Sequence, residues 1–258
     1  MPSCVVKKLR PVKKIALNLY FWPFFALVTL LFAMGIPFFS LAAMLVPGKS
    51  IASFFRRGIT KYGWAVCRLI PFMAPVQLDN RAGPLPRPVI YVANHLSSID
   101  PYCFGVVHDE YGMFTSWPFN IPVFKWMMKS AQYVDTRRGW ETISIQAHKL
   151  LADECSLIIW PEGHRSRDGK LAEFQRGAFR LAVEANCPVV PVCFIDTDKV
   201  LAPGCRLLSP ARPKVVLLPP LWPDLGQGKR KAIKQLCHDC RQIIAKEIET
   251  QQHGEVLA

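Results

Sequence analysis

Apolar and charged positions divide the chain into two parts with different patterns. Residues 15–48 contain no charged side chain over 34 positions. This is too long for the apolar core of a signal peptide and enough for a membrane-spanning helix of about 20 residues. Gly35, Ile36 and Pro37 offer a break near the middle, and both flanks are basic. Because basic flanks prefer the cytoplasmic side, we expect a helical hairpin that dips into the bilayer, or lies within one leaflet, rather than a single full span.

The segment that follows, residues 49–73, mixes lysine and arginine with aromatic and aliphatic side chains. Such a segment suits an interfacial helix, in which aromatic rings anchor the helix and cations face phosphate headgroups. A surface helix of the globular domain is the alternative. Residues 83–88 are rich in proline and lead into the next strand. We therefore predict a basic and apolar membrane anchor at residues 1–78 and a globular domain at residues 79–258.

In the rest of the chain, short apolar runs alternate with segments of helical periodicity, and one region, residues 106–116, is ambiguous. We predict strands at 89–92, 131–135, 157–160, 189–195 and 214–218, and helices at 123–130, 140–152, 174–185 and 229–251. This alternation predicts an α/β fold with a largely parallel sheet flanked by helices. The sequence has no internal repeat, no glycine-rich dinucleotide fingerprint and no P-loop.

Composition and charge indicate the surroundings of the protein. Hydrophobic residues make up 51% and the mean hydropathy is +0.17, although 20% of residues are charged. The net charge is +13 and lies mainly in residues 1–78, which have ten Lys or Arg and no Asp or Glu. Because these cations are interleaved with apolar sequence, they suit an anionic lipid surface better than nucleic acid. Nine irregularly spaced cysteines indicate a reducing compartment rather than a disulfide framework.

Residues 89–102, VIYVANHLSSIDPY, contain the first candidate chemistry. An apolar run ends at Asn94 and His95, and Asp100 followed by Pro101 has the pattern of a helix start with an aspartate N-cap. Five residues separate the histidine from the aspartate, so the carboxylate reaches the imidazole only if a turn lies between them. A histidine held in this way can act as a general base near neutral pH. From these residues alone, a loop histidine beside a helix-capping aspartate is an equal alternative.

A second polar cluster follows another predicted strand, in WPEGHRSRDGKLAEFQRGAFR at residues 160–180. Gly163 permits a tight turn, and Glu162, His164 and Arg165 crowd that turn. Arginine suits phosphate because its planar guanidinium donates two parallel hydrogen bonds. A solvated charged loop is the alternative. If the two strands are parallel neighbours, this loop and the histidine loop emerge at the same carboxyl edge, where ligand sites of α/β proteins occur.

Five stretches, in order, resemble the glycerolipid acyltransferase family. NHLSSID matches its NHxxxxD motif, PEGHRS resembles its EGTR motif, AQYVDTRRG lies where an arginine-bearing block belongs, and FQRGAFRLA and CPVVPV resemble its later blocks. The resemblance covers about residues 85–200 and is nearest to the 1-acylglycerol-3-phosphate acyltransferases. Two departures concern the acceptor lipid. His164 stands where the family usually has threonine, and Thr136 stands just before the arginines, where the family block would have its arginine sooner.

The resemblance implies a membrane-bound O-acyltransferase. It would move a fatty acyl group from acyl-CoA or acyl-carrier protein to the free hydroxyl of a lysophospholipid, above all 1-acylglycerol 3-phosphate, giving phosphatidic acid. The alternatives are other acceptors, namely glycerol 3-phosphate, a lyso-ornithine lipid or another lysophospholipid, or a non-catalytic lipid-binding protein of the same fold. The expected partners are membrane lipids and the acyl donor, with no nucleic acid. The catalytic domain is expected on the cytoplasmic side.

The resemblance also implies roles for individual residues. His95 would remove the proton from the acceptor hydroxyl, and Asp100 would orient His95 and stabilise its protonated form. No covalent acyl-enzyme is needed, so the serines between them are expected to be turn residues. No metal and no cofactor is implied, since the acyl thioester is a substrate. The residues implied in acceptor binding lie on two loops: Glu162, Gly163, Arg165 and, secondarily, Arg137.

Overall fold

A seven-stranded sheet organises the described part of the chain, residues 11–45, 50–68 and 76–256 of a computed structural model. The strands are β1 (Gln77–Asn80), β2 (Ile90–Ala93), β3 (Tyr111–Thr115), β4 (Val134–Asp135), β5 (Ser156–Ile159), β6 (Val189–Ile195) and β7 (Lys214–Leu217). The helices are α1 (Pro11–Met44), α2 (Ile51–Arg68), α3 (Asp100–Cys103), α4 (Pro122–Ser130), α5 (Trp140–Ala152), α6 (Gly177–Glu184), α7 (Thr197–Val200) and α8 (Lys229–Val256).

The strands lie in the order β1-β7-β6-β2-β5-β3-β4. From β6 to β4 all neighbours are parallel, whereas β7 is antiparallel to β6 and β1 is parallel to β7. All four residues of both β2 and β5 are buried, as expected for central strands that helices cover on both faces. The predicted α/β fold, with a largely parallel sheet flanked by helices, is confirmed.

Two apolar layers cover the two faces of the sheet. Tyr91 of β2 belongs to the layer that contains residues of α1, α2 and α4, and its ring packs 5.1 Å from that of Phe104. Val92, the next residue, points to the opposite layer, which contains residues of α5, α6 and α8. Because side chains alternate along a strand, each layer takes every second residue of β2. The end of β2 is therefore held from both sides.

Helix α1 is continuous over 34 residues, so the hairpin with a break at residues 35–37 is wrong. Pro37 lies inside the helix, although a proline removes one helical hydrogen bond. The helix continues because its neighbours hold it. Ile36 is fully buried in the apolar layer, and Thr29 Oγ1 lies 2.6 Å from the hydroxyl of Tyr62 on α2. Lys14–Phe38 is long and apolar enough to cross a membrane, judged by length and composition.

Helix α2 packs one side against the globular domain, and its predicted interfacial position stays a prediction. Nine of its residues are buried. Arg56 donates to Glu110 before β3 and to the carbonyl of Ala131 after α4. The strand β1 begins at Gln77 and runs across the expected boundary at residue 78. Of the expected anchor, residues 1–10, 46–49 and 69–75 lie outside the described residues, and the division into anchor and domain stays a prediction.

Candidate active site

His95 lies just beyond the carboxyl end of β2, in the loop that leads to α3. Its Nδ1 lies 2.7 Å from Oδ2 of Asp100. The carboxylate is fully buried, whereas 20% of the imidazole is exposed. The other ring nitrogen, Nε2, has no hydrogen-bond partner among the described residues. The predicted contact between histidine and aspartate across a turn is therefore confirmed, and one nitrogen is left for a reactant.

Asp100 organises the loop rather than the helix. Its Oδ2 also accepts hydrogen bonds from the backbone N–H groups of Leu96 and Ser97, each at 2.9 Å. The N-cap of α3 is Ile99, which makes no side-chain capping bond, so the predicted N-cap role of Asp100 is wrong. The carboxylate points back into the loop because three donors converge there. Ser97 is buried and donates to the carbonyl of Leu201 at 2.6 Å, as a turn residue does.

Glu162 joins the histidine loop to the loop that follows β5. Its Oε1 accepts from the backbone N–H of His95 at 2.8 Å, and its Oε2 accepts from that of Ala172 at 2.9 Å. The N–H of Ser166 donates to the carbonyl of His95 at 2.8 Å. Since β2 and β5 are parallel neighbours, the prediction that both loops share the carboxyl edge is confirmed. Burial raises the pKa of Glu162, although both backbone donors oppose that shift.

Two further side chains, whose roles were not predicted from the sequence, fix the histidine. Asn94 is buried, and its amide both donates to the carbonyl and accepts from the N–H of Phe194 in β6. The ring of Trp160, at the end of β5, lies 5.2 Å from that of His95. The contact of Asn94 could have been anticipated, because this residue is the asparagine of the NHxxxxD motif. The three central strands of the sheet thus all contribute to the position of His95.

A cleft of about 510 Å³ opens beside His95 and runs along the carboxyl edge of the sheet, a size typical of small-molecule sites. It extends past the ends of β3 and β5 to the first turns of α5 and α6. Its polar and aromatic walls are formed by Ser116, Trp117, Thr136, Trp140, Trp160, Gln175 and Arg176. At this edge of the sheet, a histidine that contacts a buried carboxylate therefore faces a partly apolar cleft.

The structure brings Gly163 to the wall of this cleft, whereas the other predicted phosphate-binding residues lie outside the wall. Gly163 has φ +74°, and a Cβ there would lie 2.9 Å from Nε2 of Gln175, so only glycine fits without a shift. Arg165 is exposed and has no ion-pair partner among the described residues. Arg137 is bound to Asp135 and Asn120, and its guanidinium lowers the pKa of Asp135. Its charge is therefore already paired.

Comparisons with known proteins match the part of the chain that contains this site. A family model for acyltransferases matches residues 78–195, the part of the chain that contains His95, Asp100 and Glu162. A 1-acyl-sn-glycerol-3-phosphate acyltransferase of Chlamydomonas reinhardtii is 31% identical over 193 residues, which cover 72% of this chain and 56% of that protein. Residues 78–195 of this chain thus match the acyltransferase family. The resemblance drawn from the sequence blocks is confirmed.

Other acyltransferases extend the comparison. The chloroplastic 1-acyl-sn-glycerol-3-phosphate acyltransferase BAT2 of Brassica napus is 27% identical over 225 residues, covering 82% of this chain and 63% of that protein. The chain thus spans less than two thirds of the length of these relatives. The crystal structure of PlsC, the 1-acyl-sn-glycerophosphate acyltransferase of Thermotoga maritima, superposes with a TM-score of 0.73 at 23% identity. It covers 94% of this chain and 98% of its own, so the two share a fold.

Replacing Glu162 by glutamine should slow a reaction that uses His95 by about tenfold to a hundredfold, chiefly in kcat. Both carboxylate oxygens accept backbone N–H groups, and the amide of glutamine would set a donor against one of them. The two loops would separate slightly, and His95 would lose its alignment. Steady-state kinetics and thermal unfolding measure the effect. Glu173→Gln is the matched control, because the side chain of Glu173 is 89% exposed. Equal rates for both variants would show that Glu162 does not position the histidine.

Proposed function

We propose that this chain is a membrane-bound O-acyltransferase that moves a fatty acyl group from an acyl thioester to the free hydroxyl of a lysophospholipid. The acceptor is 1-acylglycerol 3-phosphate and the product is phosphatidic acid. One observation carries the proposal. His95 has a buried carboxylate 2.7 Å from Nδ1 and a cleft of about 510 Å³ beside it. The names of the relatives, 1-acyl-sn-glycerol-3-phosphate acyltransferases, support this choice of acceptor.

In the proposed reaction, Nε2 of His95 takes the proton of the acceptor hydroxyl as the oxygen attacks the thioester carbonyl. Asp100 accepts the hydrogen bond of Nδ1–H, which keeps Nε2 unprotonated before the reaction and stabilises the imidazolium formed during it. The tetrahedral intermediate then breaks its C–S bond, and the thiolate that leaves takes the proton from His95. Ser97 is bound to the carbonyl of Leu201, which supports direct transfer without an acyl-enzyme.

For the acceptor phosphate we assign Arg165, whose guanidinium is exposed and has no ion-pair partner among the described residues. Glu162 and Gly163 shape the loop that carries it. Arg137 is paired with Asp135, so its contribution to phosphate binding is secondary and requires that pair to open. The proposal includes no metal and no cofactor, and it treats the acyl thioester as a substrate.

An acceptor panel tests the proposal. The purified chain in lipid vesicles is incubated with radiolabelled oleoyl-CoA and, separately, with 1-acylglycerol 3-phosphate, glycerol 3-phosphate, a lyso-ornithine lipid and lysophosphatidylcholine. We expect labelled phosphatidic acid with the first acceptor, at a rate at least about tenfold above the others, since loss of a charged or hydrogen-bonded partner costs that much or more. If another acceptor gave the highest rate, that acceptor would replace 1-acylglycerol 3-phosphate as the proposed substrate. A chain that acylates none of them would contradict the function.

We place the catalytic domain on the cytoplasmic face of the membrane, with α1 inserted in the bilayer. Large apolar side chains on α1 are exposed, among them Leu30 at 57% and Phe38 at 74%. Exposed cations on α2, such as Arg57 and Lys61, lie beside α1 and favour the cytoplasmic side. The site at the carboxyl edge would then meet lipid acceptors without their leaving the membrane surface.

The variant Leu30→Lys/Phe38→Lys should lose most of its membrane association. A charged residue near the centre of a spanning helix costs about 2.5–3.5 kcal/mol, and one at its end, where Phe38 lies, costs less. The lysine at position 30 alone should therefore lower the membrane-bound fraction by more than about tenfold. Co-sedimentation with vesicles containing anionic lipid measures that fraction. The matched control is Ile145→Lys/Leu225→Lys, because both positions are exposed on the globular domain. Unchanged sedimentation of the α1 variant would exclude this helix as the anchor.

A further inference from the structure

One side of helix α4 exposes apolar side chains together with cations. Val123 is 43% exposed and Trp126 is 46% exposed. Lys125 and Lys129 lie on the same exposed side, because a helix turns by about 100° per residue and the four positions fall within about 160° of its circumference. The opposite side, with two methionines, is buried in the domain. We call the exposed side, formed by these four residues, the α4 surface.

The charge of the α4 surface is positive and uncompensated. Neither Lys125 nor Lys129 has an ion-pair partner among the described residues, and residues 111–134 contain no Asp or Glu. Each lysine close to an anionic lipid surface adds a favourable attraction. Tryptophan is enriched at the same depth, because its ring is largely apolar and its N–H group stays in contact with water. An exposed indole, an exposed valine and two ammonium groups therefore fit an anionic lipid surface.

The neighbours of the α4 surface connect it to the proposed anchor. The ring of Trp126 lies 6.0 Å from that of Phe55 on α2. Arg56, also on α2, donates to the carbonyl of Ala131 just after α4. Helix α2 in turn packs against α1. Insertion of α1 in a bilayer therefore brings α2 and α4 close to the same lipid surface.

The α4 surface also begins close to the cleft beside His95. Trp117, in the short 3₁₀ helix Trp117–Asn120, lines the cleft and is 61% exposed. Its ring packs 6.4 Å from that of Phe124 in the first turn of α4. The rim of the cleft at Trp117 and the start of α4 are therefore neighbours.

We infer that the α4 surface is a second membrane contact, separate from α1, and that its partner is an anionic bilayer. Trp126 and Val123 enter the headgroup region, and Lys125 and Lys129 bind lipid phosphates. The inference rests on the membrane location in the proposed function and goes beyond its anchor. The contact fixes the orientation of the globular domain and keeps the rim of the cleft against the lipid surface.

Quenching of tryptophan emission tests this contact. The full chain is bound to vesicles of phosphatidylcholine and phosphatidylglycerol whose acyl chains carry bromine near the headgroups, because bromine quenches an indole that it touches. The emission of Trp126 is the difference between the wild type and Trp126→Phe, a variant that keeps a ring beside Phe55. We expect this emission to lose most of its intensity in brominated vesicles. Equal emission of Trp126 in brominated and unbrominated vesicles would overturn the inference.

The matched control is Trp222→Phe. Trp222 is 57% exposed, and the preceding residue, Leu221, packs against the apolar layer on the opposite face of the sheet. The emission of Trp222, obtained in the same way, should be equal in the two kinds of vesicle. This control separates contact of the α4 surface with lipid from general quenching of exposed indoles.

Charge reversal tests the two lysines in the chain whose α1 insertion is weakened by Leu30→Lys/Phe38→Lys. Adding Lys125→Glu/Lys129→Glu should lower the residual sedimentation with vesicles containing phosphatidylglycerol by about tenfold or more. Adding Lys231→Glu/Lys234→Glu, at exposed positions on α8, should leave it unchanged. With phosphatidylcholine alone, the two charge-reversed chains should sediment equally.

Three outcomes separate the claims. Equal residual sedimentation of the two charge-reversed chains with anionic vesicles would overturn the inference. So would an unquenched Trp126 together with loss of acyl-carrier protein binding in Lys125→Glu/Lys129→Glu, because the surface would then dock a protein. Neither measurement requires turnover, so a chain that shows both effects but acylates no acceptor would lose the proposed function and keep this membrane contact.

Discussion

Replacing His95 with alanine should lower the rate of phosphatidic acid formation by roughly 10²- to 10⁴-fold, the range that a general base contributes. The imidazole contacts the buried carboxylate of Asp100 and lines the cleft, and no other histidine lines it among the described residues. The fold should survive, because Asp100 still accepts from the N–H groups of Leu96 and Ser97. The measurement is the initial rate with radiolabelled oleoyl-CoA and 1-acylglycerol 3-phosphate.

The control for this variant is His148→Ala, because His148 lies on α5 with 38% of its side chain exposed. We expect that variant to keep its rate and its melting temperature. Vesicle binding of His95→Ala should also equal that of the wild type, since α1 is unchanged. If His95→Ala retained near-normal turnover, the assignment of the base would be wrong.

Replacing Asp100 should have the second large effect, and it should reduce both rate and stability. Asp100→Ala removes the acceptor of the N–H groups of Ser97, which is buried, and of Leu96, which is half-buried. An unsatisfied buried donor costs about 1–3 kcal/mol and a half-buried donor less, so the free energy of unfolding should fall by about 1–4 kcal/mol. The rate should fall by roughly 10²-fold or more, because the imidazole loses the group that orients it and stabilises its charge.

Asp100→Asn separates the two effects. One amide oxygen can still accept the backbone N–H groups, so we expect a smaller loss of stability than in Asp100→Ala. The amide carries no negative charge, so the rate should fall nearly as far. Thermal unfolding and kcat, measured on the same preparations, give both quantities, and Asp153→Asn at an exposed position serves as the control. An unchanged kcat in Asp100→Asn would show that the charge of Asp100 does not contribute to the reaction and that its role is structural.

Elements with a strong local pattern were predictable from the sequence. The strand Val189–Ile195 and the helix Trp140–Ala152 match their predicted bounds, because an apolar run or a clear helical period defines each of them. The strand Gln77–Asn80 was missed. Its residues are mostly exposed at the sheet edge, where backbone pairing with β7 rather than side-chain pattern creates the strand. Pro37 predicted a break that the packing of Ile36 prevents.

The candidate site also contains residues that were predictable from the sequence and residues that were not. His95, Asp100 and Glu162 were predictable because each follows a strand, and parallel neighbours bring such residues to one edge. The contact of Asn94 with Phe194 was not, since it joins residues 100 positions apart. Nor was the position of Arg176, which lines the cleft while Arg165 does not. Those features depend on the order of strands and the packing of helices, which local sequence does not encode.

The central claim is that His95 activates a lipid hydroxyl for direct attack on the acyl thioester, and a quenched single-turnover experiment tests it most directly. Wild-type protein is mixed with radiolabelled oleoyl-CoA, with and without 1-acylglycerol 3-phosphate, and stopped with acid at successive times. We predict that thiol release requires the acceptor, equals the phosphatidic acid formed, and leaves no label on the protein. Thiol release and protein-bound acyl group in the absence of acceptor would contradict the claim.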